Sequence, residues 1–332
     1  MPVVENNLPG TLSCFYVTFT KFLNYHGIDL EEDDVFFLCS GFTPIKVIDP
    51  MNKDNPLDFG YQSYQSLITN LGEALEIKIN IVYPDKLGEK FNEKLIKNNI
   101  LLMLVDSKIL DHHYINSVVE NYHFLLSVGF EKTLKEISIE DYYVMHAKSF
   151  DNYSTFKVTY NLDKIKFALC GVAYLDEIYN IKNIYKEKII SNAINGYRLF
   201  TKNVDDNIIY GSTIFENIIN YFEETVNSGI NLTQNQILNF IINIQARHLS
   251  IFTYTNKFIN KYLENDNIAL TEKIVSVEKL WKELFTKMII NIHAYNPLRS
   301  RAIIKDARII FMKQNEIFAE LINKISIQYK GL

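Results

Sequence analysis

From Asp163 onward the apolar residues recur at helical spacing, and after residue 212 only two glycines and one proline remain to punctuate them. Nothing in that stretch breaks the chain often enough to make short strands and turns. The runs at 175–194, 212–228, 233–263, 271–294 and 300–328 therefore predict long helices, the second capped by Ser212 and stopped at Gly229.

The residues before about 145 are patterned differently, with short β-like runs between helical ones. Residues 13–27 predict a helix with Ser13 near its N-cap and Gly27 just past its end. Residues 31–41 predict a second, its acidic residues in the first turn where the helix dipole favours them. Residues 61–75 and 86–98 complete the helices. IKINIVYP (77–84) and ILLMLVD (100–106) predict strands. HFLLSVGFE (123–131) and LKEISIEDYYVM (134–145), separated by a turn around Lys132 and Thr133, predict a hairpin. The expected architecture is α+β: a mixed domain over 1–150 followed by an all-helical domain over 151–332.

At 48% hydrophobic and 22% charged residues the chain can build a large core. It lacks an apolar run of the roughly 20 residues that span a bilayer. MPVVENNLPG has no basic stretch followed by an apolar one, so no secretion signal is expected. Three widely spaced cysteines, Cys14, Cys39 and Cys170, argue against a disulfide framework and point to a reducing cytoplasm. Residues 1–150 carry 12 Lys against 21 acidic residues, a net −9; the remainder is +4 and holds all five arginines. Such an acidic chain is a poor nucleic-acid binder. Its basic half is suited to an acidic protein partner, although ordinary solvated helix faces explain the same charges.

A reactive thiol needs a base within reach and a group that orients the base. Cys14 stands at the start of a predicted helix, where backbone N–H groups and the dipole favour an anion. His123 opens one strand of the hairpin and Asp141 lies near the end of the other. With the turn centred at 132, residues 123 and 141 stand opposite each other. The carboxylate then accepts the imidazole N–H and the second ring nitrogen faces the sulfur. Cys14, His123 and Asp141 form the expected triad.

Other candidates carry less. His112 and His113 are adjacent, so on a strand they point to opposite faces and cannot share a metal. No HExxH, CxxC, GxGxxG or P-loop is present, so neither a metal nor a nucleotide cofactor is expected. Cys39 and Cys170 sit in apolar surroundings that favour core packing. Asp106 suits capping of the next turn better than lining a pocket. Arg299, Arg301, Lys305 and Arg308 form a basic run that can meet a phosphate or an acidic helix, or simply face solvent.

The stretch LPGTLSCFYVTFTKFLNYHGIDLEEDDVFFLCSGF resembles the opening of the butirosin-biosynthesis-protein-H-like family. LLMLVDSKIL and HFLLSVGFEKTLKEISIEDYY continue the likeness, and the latter also looks like the His and Asp strands of papain-like bacteriocin-processing peptidases. Ala246-Arg247-His248-Leu249 and the surroundings of Trp281 resemble the family's helical domain more weakly. The resemblance implies a papain-like cysteine peptidase fold used for amide-forming acyl transfer. An acyl group would pass from a carrier-protein thioester, through Cys14, to an amine acceptor in thiotemplated antibiotic biosynthesis. No cofactor of its own is implied beyond the phosphopantetheine arm of the acyl or peptidyl carrier, for which Arg299, Arg301 and Arg308 are the docking candidates. A homodimer is left open, and neither nucleic acid nor membrane is an expected partner. Papain-like peptidases place a Gln six residues before the Cys; here that position is Leu8, and Asn6 or Asn7 stands in as oxyanion donor. The rival readings are a cysteine hydrolase with the same triad and a non-catalytic binding protein on this fold.

Overall fold

The structure, a computed structural model, describes residues 3–8 (backbone only), 14–40, 42–47, 63–83, 91, 94, 97, 100–111, 122–146, 149–176, 186–201, 204–205, 208–229, 237, 241, 248–264 and 267–330. The chain divides into two compact units, one of residues 1–35 and 71–185, the other of residues 36–70 and 186–332.

The first unit is built on a seven-stranded sheet with every neighbouring pair antiparallel. Its strands are β1 (Val3–Leu8), β3 (Asn80–Val82), β4 (Leu101–Asp106), β5 (Tyr122–Glu131), β6 (Glu136–His146), β7 (Ser149–Asn161) and β8 (Leu169–Tyr174). Their order is β1-β7-β6-β5-β4-β8-β3. The helices α1 (Cys14–Tyr25) and α4 (Leu162–Ala168) belong to the same unit, while α2 (Glu32–Leu38) and α3 (Tyr64–Leu75) lie where the chain passes from one unit to the other. Alternation sorts the strand side chains by face. Leu101, Met103, Val105, Leu125, Ile137 and Ile139 form one buried layer with Leu162, Ile165 and Ala168 of α4. Phe124 points the other way, and its ring meets Phe15 of α1 at 5.1 Å between centroids.

Helix α1 is buried on most sides, residues 15–20, 22 and 23 all being inside. Phe15, Phe19 and Phe22 are fully buried, each contributing about 1.5–3 kcal/mol. It ends in a Schellman turn: Ile28 N donates to Leu23 O at 3.0 Å, and Gly27 takes φ 79°, a conformation that costs a side chain but not glycine. Glu32, Asp33 and Asp34 do occupy the first turn of α2, and Asp34 Oδ2 accepts from Glu31 N at 3.3 Å.

The second unit is mostly helical: α5 (Lys186–Thr201), α6 (Gly211–Asn227), α7 (Leu249–Tyr262), α8 (Ile268–His293) and α9 (Pro297–Gln328), with a small sheet of β2 (Ile45–Val47), β9 (Val204–Asp205) and β10 (Ile208–Tyr210). Trp281, Tyr197, Tyr254, Phe200, Phe215 and Phe252 are among its largest fully buried side chains. In their midst Gln314 Oε1 accepts from both Trp281 Nε1 and His248 Nε2, each at 2.9 Å. Helix α9 opens with Pro297 at its start and Asn296 as N-cap, its side chain accepting from Leu298 N and Arg299 N. Helix α6 begins one residue before Ser212, at Gly211, with no side-chain cap; Gly229 ends it as expected, at φ 72°.

The fold is α+β as expected, but the boundary at residue 150 is not where the units part. β7 crosses it and α4 and β8 lie beyond it, yet all three belong to the sheet unit, because β7 pairs with β6 along its length and β8 lies between β4 and β3. Residues 36–70, assigned by sequence to the first domain, belong to the helical unit. Nor is the second unit purely helical, since β2, β9 and β10 form their own small sheet. The pairings of β8 with β4 and β3, and of β2 with β10, join segments far apart in the chain, which local periodicity does not register.

Candidate active site

Cys14 is the first residue of α1 and is half-buried with a free thiol. His123 is the second residue of β5, and Asp141 lies in β6; both are buried, Asp141 completely. The His123 Nε2–H donates to Asp141 Oδ1 at 2.8 Å. The imidazole also hydrogen-bonds the Cys14 side chain. With Nε2 taken by the carboxylate, Nδ1 is the nitrogen left for the sulfur.

The hairpin register shows how the pair comes together. Near the turn, Glu131 stands opposite Glu136 and Phe130 opposite Ile137; past a β-bulge at Val128, Ser127 stands opposite Ile139 and Leu126 opposite Glu140. The next step of this register sets Leu125 opposite Asp141, so His123, two residues further along β5, is a diagonal neighbour of Asp141, not its direct partner as the turn-centred count expects. The bulge is decisive because facing alternates at every residue. In the register of the turn, residues 123 and 141 would lie on opposite faces; the bulge takes up the extra residue and gives them a common face. The first turn of α1 is secured next to them. Phe15 packs on Phe124, the neighbours in sequence of Cys14 and His123, and Thr18 Oγ1 donates to Phe124 O at 3.4 Å.

The electrostatics follow from burial and pairing. Burial alone would lower the pKa of His123, but the Asp141 carboxylate, by charge and hydrogen bond, together with the bond to Cys14, raises it to about 10. A charged imidazolium is thus the resting form at neutral pH, oriented by Asp141 with its free face to a thiol. The imidazolium returns a proton to a leaving group, and the neutral imidazole left behind accepts one from a thiol or an amine.

The other candidates fall into place one by one. Asn6 and Asn7 lie in edge strand β1, paired to β7, so this segment is extended backbone rather than a loose terminus. β6 and β7 stand between β1 and β5 in the sheet order. Pro9–Ser13, His112 and His113 lie outside the described residues. Cys39 is fully buried, and burial holds its thiol well above the ordinary range, so it is core. Cys170 donates to Ala168 O at 3.4 Å, its pKa pushed up by burial and by Asp106. Asp106 caps the 3-10 turn that follows it, accepting from Lys108 N at 3.0 Å. Arg299 bonds Ala294 O at the end of α8, and Arg308 bonds Asn220 and Glu223 of α6, while Arg301 is exposed. Two of the three proposed docking guanidiniums are therefore engaged within the helical unit. Among the described residues no group of three His, Cys, Asp or Glu side chains is arranged to hold a metal, and no helix is long and apolar enough to cross a membrane.

One cluster was not foreseen. Glu140, the neighbour of Asp141 in β6, is buried, and its carboxylate accepts from Tyr25 and Tyr142 while Lys157 pairs with it at 3.2 Å. The signal was present in α1, where polar residues recur at one helical spacing amid aromatic ones.

No protein-family model matches the chain, and no curated protein matches it.

Proposed function

We propose that this protein is a cysteine-dependent acyltransferase in which Cys14 is the nucleophile, His123 the general base and acid, and Asp141 the residue that orients it. The observation that carries the reading is the single imidazole bonded at once to a buried carboxylate and to the thiol of a helix's first residue. A Cys-headed helix against an antiparallel sheet that supplies His and Asp from adjacent strands is the frame that the papain-like resemblance implies. The same resemblance supports amide formation from a carrier-protein thioester over hydrolysis.

In this mechanism the neutral form of His123 takes the proton of Cys14, becoming the imidazolium, and the thiolate attacks the thioester carbonyl. Collapse of the tetrahedral adduct expels the pantetheine sulfur, which His123 reprotonates, leaving an acyl-Cys14 thioester. An amine then attacks that carbonyl, its proton passes to His123, and the Cys14 sulfur leaves with the amide formed. Thioester to amide is downhill, so the step consumes no ATP. The acyl donor is a carrier bearing a phosphopantetheine arm, and Arg301 is the docking cation free to meet it.

The test is incubation of the full chain with an acyl-pantetheine thioester, followed by intact mass. An acyl adduct on Cys14 that discharges only when an amine is added supports the transferase. Discharge to free acid without amine favours the hydrolase instead, and absence of any adduct refutes both.

A further inference from the structure

Among the polar residues of α1, Thr20 bonds the Tyr16 carbonyl of its own helix at 2.8 Å and Asn24 accepts from Leu30 N at 3.2 Å in the following loop. Four others, Cys14, Thr18, Lys21 and Tyr25, are spaced by four, three and four residues and so share one face. Every one of them meets β5 or β6. Cys14 bonds His123 and Thr18 bonds the Phe124 carbonyl. The Lys21 ammonium lies 5.9 Å from the centre of the Tyr142 ring, and Tyr25 Oη donates to Glu140 Oε2 at 3.1 Å. Glu140 is the fixed point of the far end, because its buried carboxylate also accepts from Tyr142 Oη and pairs with Lys157.

We propose that Tyr25, Glu140 and Tyr142 form a positioning latch for the Cys14 thiol, a role that rests on Cys14 being the nucleophile. None of the three touches the reacting atoms; they act through α1. A helix is a stiff rod rising 1.5 Å per residue, so Tyr25 grips it about 16 Å from Cys14. The Phe15–Phe124 contact and the Thr18 bond hold the helix near Cys14. The second anchor, on the strand that carries Asp141, ties the far end of the rod, and with it the axial position of Cys14, to the His123–Asp141 pair. Glu140 and Asp141 are consecutive in β6, so they point to opposite faces, one to grip the helix and one to orient the base. A nucleophile displaced by about 1 Å loses on the order of 100-fold in rate, which sets the scale of the effect.

The test compares the full chain with its Tyr25→Phe and Glu140→Gln variants. The rate at which iodoacetamide alkylates Cys14 is followed by peptide mass between pH 5 and 10, with Cys170 as the internal reference. Tyr25→Phe keeps the ring and removes one hydroxyl at a half-exposed position, and a urea midpoint checks that the variant is folded. It should slow Cys14 about 10- to 100-fold while Cys170 is unchanged; general loosening would instead speed both. In Glu140→Gln the amide oxygen can still accept from both phenols but the Lys157 pair is lost, so this variant should slow Cys14 less than Tyr25→Phe does, with an unshifted pH profile. Two results overturn the latch: a parental Cys14 rate in Tyr25→Phe, or a pH profile shifted by Glu140→Gln, which would make Glu140 an electrostatic partner of His123. A parent chain whose Cys14 is no faster than in His123→Ala brings down the nucleophile itself, and the latch with it.

Discussion

Asp141→Asn isolates the charge on which the site depends. The amide keeps the size of the side chain and one oxygen for the His123 Nε2–H, now 2.8 Å from Asp141 Oδ1. What disappears is the carboxylate that overrides burial and raises His123 to about 10. A folded-state pKa above the unfolded value of about 6.5 means the stabilisation is complete below pH 6.5 and is lost as pH rises towards 10. At 1.36 kcal/mol per unit, that interval bounds the contribution at about 5 kcal/mol, and breaking a buried ion pair costs about 3–5 kcal/mol in general. The variant should therefore be destabilised by about 3–5 kcal/mol at pH 6, and its deficit should shrink steadily up to pH 10. Urea unfolding of both chains at half-unit pH steps measures this, with Cys14 alkylation at pH 6 as a parallel readout that should fall sharply. A deficit that is constant from pH 6 to 10, or absent, would refute the charged His123–Asp141 pair.

Two further outcomes follow from the same physics. Burial among Phe200, Phe215, Phe252 and Trp281 lowers His248 to about 4, against a smaller opposing effect of Gln314; a base with a depressed folded pKa stabilises above pH 6.5 and loses that contribution as pH falls from 6.5 towards 4. Urea midpoints should decline over that window in the parent and stay flatter in His248→Phe. Deletion of Val128 removes the bulged residue but leaves Ser127 opposite Ile139 and Leu126 opposite Glu140, so His123 and Asp141 keep their common face; mass-resolved alkylation of Cys14 should stay near the parental rate while circular dichroism still reports the sheet, and a fall to the level of His123→Ala would show that the bulged residue itself aligns the pair.

Much of the local structure was legible. The ends of α1, the acidic first turn of α2, strand β4 and the β5–β6 hairpin are each written in caps, glycines and apolar periods that act within a few residues. β7 and β8 were missed for an equally local reason. The first half of SFDNYSTFKVTYN alternates poorly, and LCGVAY is too short an apolar run to separate strand from helix. The interleaving of the two units was hidden because it depends on which distant segments pair.

The triad divides along the same line. Cys14, His123 and Asp141 were named from residue type and from their places at a helix start and on a hairpin, because thiol chemistry demands those types and local pattern supplies the elements. Tertiary structure decided the rest. The bulge at Val128 gave His123 and Asp141 a common face, and burial turned their contact into a charged pair. The packing of α1 on β5 and β6 brought in Tyr25, Glu140 and Tyr142. Facing, burial and charge coupling are properties of residues brought together across the sheet, so the linear order of the chain holds the parts of this site but not their alignment.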